Sequence, residues 1–136
     1  MTVNYAFKLQ KAIYETLSGD SSLSALVSGV FNHVPQDSSF PYIVIGEAES
    51  SDYSTVTTTA EEVMSTVLVF SRARGSKEAL TIMGEIKALL HQASLSLTGC
   101  TLIYLRMQGS NISQVKETLT WQGTLIFKAL IEEMAS

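Results

Sequence analysis

The stretch that most limits how this chain can fold is Val63 to Phe70, which reads Val-Met-Ser-Thr-Val-Leu-Val-Phe. Its β-branched and aromatic residues suit a pleated strand. Side chains alternate between the two faces of a strand, so Val63, Val67 and Val69 share one face. Met64, Leu68 and Phe70 share the other. Both faces are apolar, so both are expected to be covered, and a neighbouring subunit is one possible cover.

A second run supplies the half-buried counterpart. Leu119, Trp121, Leu125 and Phe127 alternate with Thr118, Thr120, Thr124 and Lys128, which predicts a strand with one face in the core. Three shorter strands are expected at Val30 to Val34, Tyr42 to Ile45 and Leu102 to Met107. Glu47 and Glu49 end the burial of the second of these on one face. Pro35 to Pro41 reads as a turn-rich connection, and Gly109-Ser110-Asn111 as a loop.

Two helices complete the pattern. Val3 to Leu17 is amphipathic, with Val3, Phe7, Ile13 and Leu17 near one face and Ala6 beside them. Gly19 stops it, and Ser21 caps a short helical turn, Ser22 to Val27, that ends at Gly29. Ser76 is placed to cap Lys77 to His91, after a turn at Arg72 to Gly75. The apolar stripe of that second helix is Leu80, Met83, Ile86, Leu89 and Leu90, and Gly84 within it points to close approach of a strand. The order predicts an α+β domain: an antiparallel sheet of about four to five strands with two main helices on one face. At 136 residues, the chain is expected to form a single domain, 1–136.

The charge balance narrows the function. The net charge is −4 and the nine Lys and Arg are scattered, the closest group being Arg72, Arg74 and Lys77. Duplex gripping and attraction to an anionic membrane are therefore not expected. The charged fraction, 16%, is low for a monomer surface, which agrees with partial cover by other chains. No apolar run is long enough to span a bilayer. Met1 to Phe7 lacks the layout of a secretory signal, so a soluble protein in a reducing compartment is expected.

No catalytic constellation emerges. His33 at a strand end lacks a placed nucleophile and acid. His91 closes a helix, where the dipole favours a cation. Cys100 is the single cysteine, so no internal disulfide or thiolate metal site can form, and it reads as a small buried filler. Glu61 and Glu62 point to opposite faces of a strand, and Glu132-Glu133 reads as solvated terminal charge. Phosphate-cradle and nucleophile-elbow motifs are absent. We expect no catalytic, cofactor or metal site. The segment Ser50 to Thr59 is polar and rich in Ser and Thr, and is expected to be an exposed loop or an extended hairpin arm. Tyr53 within it either packs back onto its own sheet or meets a neighbouring subunit.

Several stretches carry a family resemblance. They are Leu9-Gln10-Lys11-Ala12-Ile13-Tyr14, Leu23 to Val27, His33-Val34-Pro35-Gln36, and Phe40-Pro41-Tyr42-Ile43-Val44-Ile45-Gly46-Glu47. Further along come Ser71-Arg72 with Gly75 and Lys77, Ile82-Met83, Leu89-Leu90-His91, Leu97 with Gly99, and Leu102-Ile103-Tyr104-Leu105-Arg106. This ordered set resembles the tail completion or tail terminator proteins of long-tailed phages and gene transfer agents. The resemblance implies a non-enzymatic virion protein, made in the bacterial host cytoplasm. It implies a ring, typically of six copies, at the head-proximal end of the tail tube. That ring would stop tube growth, join the tube to the head connector and let DNA pass without specific binding. Tyr53, Thr57, Arg72 and Arg74 are the expected subunit-interface residues. Two other readings stand beside it: a small-ligand or peptide binding module with no assembly role, and a cryptic hydrolase using Cys100 or His33.

Overall fold

Val63 to Phe70 is the centre of a longer strand, β3 (Ala60–Ser71), in the middle of a five-stranded sheet. The computed structural model describes residues 4–33 and 38–133. In chain order the elements are α1 (Tyr5–Ser18), α2 (Ser21–Ser24), β1 (Val30–Phe31), β2 (Tyr42–Asp52), β3, α3 (Lys77–Leu90), β4 (Cys100–Val115) and β5 (Thr120–Glu133). The sheet order is β1-β2-β3-β5-β4. The four long strands pair antiparallel, but β1 runs parallel to β2, so the sheet is mixed and not purely antiparallel as expected. A parallel pair needs a crossover, and here residues 32–41 make it.

The core follows from the alternation. Val63, Val67, Val69, Leu125 and Phe127 are essentially inaccessible. They share one buried cluster with Leu9, Ile13 and Leu17 of α1, Leu23 of α2, and Ile82, Ile86 and Leu90 of α3. The helices differ in detail from the expected stripes. Asn4 caps α1 by accepting from the Phe7 amide at 3.0 Å. Tyr5 and Leu9 complete its buried face, whereas Phe7 is 57% exposed. Val3 lies outside the described residues. Asp20, not Ser21, caps α2, accepting from the Leu23 amide. Ser76 occupies the α3 N-cap without a side-chain capping bond, and Leu80 is exposed, its place in the stripe taken by Ala79 and Ile82.

Two strand expectations are corrected. Gly109-Ser110-Asn111 is not a loop. It sits inside the sixteen-residue β4, paired with Ile126, Leu125 and Thr124. Cross-strand pairing overrides the weak strand propensity of those residues. Leu119 belongs to the turn before β5, with φ 54° and high exposure, and not to the strand's buried face. The close approach attributed to Gly84 occurs elsewhere. Gly84 has open space where a Cβ would stand, whereas a Cβ on Gly123 of β5 would collide with the Met83 side chain of α3.

Candidate functional site

The segment 50–59 is a hairpin arm. β2 runs on to Asp52, and residues 53–59 return the chain to β3. The tip is held by short-range bonds: Tyr53 N–H to the Ala60 carbonyl, Thr55 N–H to the Thr58 carbonyl, and Ser54 Oγ to Asp52 at 2.6 Å. Those Ser54 bonds, side chain first and then backbone, hold the Asp52 carboxyl below the usual carboxylate range. Thr59 is tied to Glu133 by a backbone bond at 2.9 Å. Glu133 thus fastens the arm to the end of β5 and is not loose terminal charge. Tyr53 (57% exposed), Val56 (104%) and Thr57 all stand in solvent, so Tyr53 does not pack back onto the sheet.

Arg72 and Arg74 lie past the opposite end of β3. Eleven residue steps at about 3.3 Å put roughly 36 Å between the two ends of that strand. The four expected interface residues therefore form two groups and not one patch. Arg72 is exposed yet anchored. Its Nε–H donates to Thr120 Oγ1 at 3.1 Å, and its guanidinium lies 4.3 Å from the Phe40 ring centroid. Phe40 in turn adjoins Tyr42, which contacts Phe31 and Phe70. This aromatic group was not anticipated. Its members are spread over forty residues, and the pairing of β2 with both β1 and β3 gathers them.

The two ends also differ in charge. Asp52, Glu61, Glu62, Glu132 and Glu133 gather at the hairpin-arm end. The Tyr5 hydroxyl is pushed up there by burial, then by Cys100, Glu133 and Glu61. One ion pair relieves the acids, Lys128 Nζ to Glu62 at 3.3 Å. Arg72, Arg74 and Lys77 occupy the other end.

One sheet face has no helix packed on it among the described residues. Met64, Leu68 and Phe70 of β3 lie beside Tyr42 and Val44 of β2 and Ile126 and Leu130 of β5, all only half-buried. The face expected to be covered by something else is therefore open in the single chain. A groove of about 480 Å³ adds a second apolar surface, between Phe7, Lys11 and Tyr14 of α1 and Asn32 and Ile45. Its signal in the sequence was Phe7 and Tyr14, seven residues apart on one helix face.

The chemical candidates stay apart. His33 is exposed in a bend after β1. His91 sits at the C-cap of α3. Its Nδ1 accepts from the Met107 N–H at 2.9 Å, which ties the end of α3 to β4. Cys100 is buried and free, and burial pushes its thiol up, with Lys8 opposing. Trp121 is half-buried against the core and not enclosed by it. Among the described residues no group of three or more His, Cys, Asp or Glu is placed to hold a metal, and no helix is long and apolar enough to cross a membrane.

No curated protein matches the chain by sequence. A chain in the solved virion of a native gene transfer agent particle does match in structure, with a TM-score of 0.88 and 25% identity. The match covers 96% of this chain and 99% of that one. Residues 11–132 fit the family model of tail completion protein gp17. The chain belongs to the tail completion protein gp17 family and is a structural protein of a phage-type tail.

Proposed function

We propose that the protein is a tail terminator. Copies of it, typically six, form a ring at the head-proximal end of the tail tube, end tube growth and present a surface to the head connector. The observation that carries this reading is the end-to-end likeness to a chain of a gene transfer agent virion, with almost nothing left over on either side. The open apolar sheet face supports it, because monomers seldom leave such a surface bare. The charge supports it too. Six copies at −4 each carry −24, which leaves DNA free to slide through a lumen. Tyr53 and Thr57 make contacts at one rim of the ring, and Arg72 and Arg74 at the other.

The test is negative-stain microscopy of particles from cells lacking the gene. Free heads beside tails of abnormal length are expected, and normal tailed particles would refute the role. Tyr53→Ala and Arg74→Ala should impair assembly while the monomer stays folded. The α1 groove favours one further reading, a peptide-binding module, and normal particles without the gene would bring it forward.

A further inference from the structure

The sheet has two exposed edges, and they are treated differently along their length. At one edge, β1 covers β2 only at Ile43 and Val44. Beyond that, the Gly46 carbonyl accepts from Gln10 Nε2 at 3.0 Å. From Glu47 to Asp52, β2 has no strand on this side among the described residues. At the other edge, the first half of β4 is blunted. Gln92 N–H donates to the Leu105 carbonyl at 2.7 Å, the Met107 N–H is taken by His91, and register shifts interrupt the ladder around residues 103 and 108. From Gly109 to Val115 those devices stop. Seven residues pair regularly with β5 on one side and, among the described residues, have no strand on the other. A long regular edge is a template for another strand, and proteins normally protect it. Here one half of β4 is protected and the other is left available.

The available stretches fit each other. Glu47, Glu49 and Asp52 give the β2 stretch three acids and no base. The β4 stretch has no acid and is flanked by Arg106 and Lys116. Direction fits as well. β2 and β5 run one way and β3 and β4 the other. A head-to-tail repeat of the subunit therefore brings the next β2 alongside β4 antiparallel. The two stretches sit at different heights. Glu49 lies level with Arg106 through Met64 and Lys128, while Ile112 is five β5 residues away, opposite Gly123. Pairing them offsets neighbours by roughly 17 Å along the strands. Such a stagger is what closing a sheet into a barrel requires.

We propose that adjacent copies join by adding residues 47–52 of β2 to residues 109–114 of β4, so that the sheets form one continuous, closed band. The occupant of each edge is a second copy of this chain. The proposal rests on the ring reading and specifies its contact. A head-to-tail contact of this kind generates a ring when the rotation closes.

Cysteine cross-linking in assembled particles tests it. Ser51→Cys is combined with Ser110→Cys in one variant and with Ser113→Cys in another, all at exposed positions. Mild oxidation and non-reducing electrophoresis should give a ladder of multimers from a double variant and monomer alone from each single variant. Monomer alone from both double variants, in particles of normal form, would overturn the contact. Dimers from Ser110→Cys or Ser113→Cys alone would also overturn it, since they report β4 against β4. Microscopy without the gene tests the terminator role separately, so the contact can fail while that role stands.

Discussion

The two faces of β3 both carry apolar residues, yet across β3 and β5 the two faces lie in opposite environments. Val67 and Phe127 sit under the helices with no accessible surface, while Leu68 and Ile126, their sequence neighbours, are only half-covered by other residues of the sheet. β3 is thus apolar on both faces, while β5 places Gln122, Thr124 and Lys128 on the open one. Folding is secured on the first face. The second has no cover among the described residues.

The widest separation between the faces is expected from truncating one large residue on each. Phe127→Ala should cost about 3–5 kcal/mol in urea unfolding, because it opens a cavity beneath the helices. Leu68→Ala should cost less, about 1–2 kcal/mol in the isolated chain, since Leu68 keeps some contact with solvent and its loss leaves no closed cavity. Equal losses would break the comparison. Next comes Gly123→Ala, which drives a Cβ into Met83. A loss of about 1–2 kcal/mol is expected, moderated by the flexible thioether. Ser65→Ala reverses the sign. The Ser65 hydroxyl is buried on the helix side with no hydrogen-bond partner, so its removal should raise stability by about 1 kcal/mol. The smallest effect belongs to the open face. Lys128→Ala removes a partly exposed pair with Glu62 and should cost under about 0.5 kcal/mol, less in high salt.

What the sequence disclosed was the part in which local pattern and tertiary fate agree. Val63 to Phe70 and Leu125 to Lys128 were legible because period-two alternation survives in the sheet. Gly109-Ser110-Asn111 was not, because its strand state comes from a partner, Thr124 to Ile126, across the turn. Phe7 and Leu80 were misplaced because apolar residues adjoin the buried stripe on both helices, and only the sheet's position decides which are enclosed. The two-ended distribution of Tyr53, Thr57, Arg72 and Arg74 was hidden for the same reason: it requires knowing that β3 is long and runs between them. The aromatic group around Tyr42 and the half-guarded β4 edge depend on contacts distant in sequence.

The strand order carries one more consequence, in time and not in space. β5 is made after β4 yet lies between β3 and β4. Until β5 leaves the ribosome, β2–β3 and β4 cannot be joined, whatever helices have already formed. The sheet is therefore completed in one late step by an inner strand, whose pairing is slow to find because its partner β3 lies some sixty residues back. An unfinished chain therefore lacks the joined sheet, and one side of β3 stays unpaired until synthesis has passed β5.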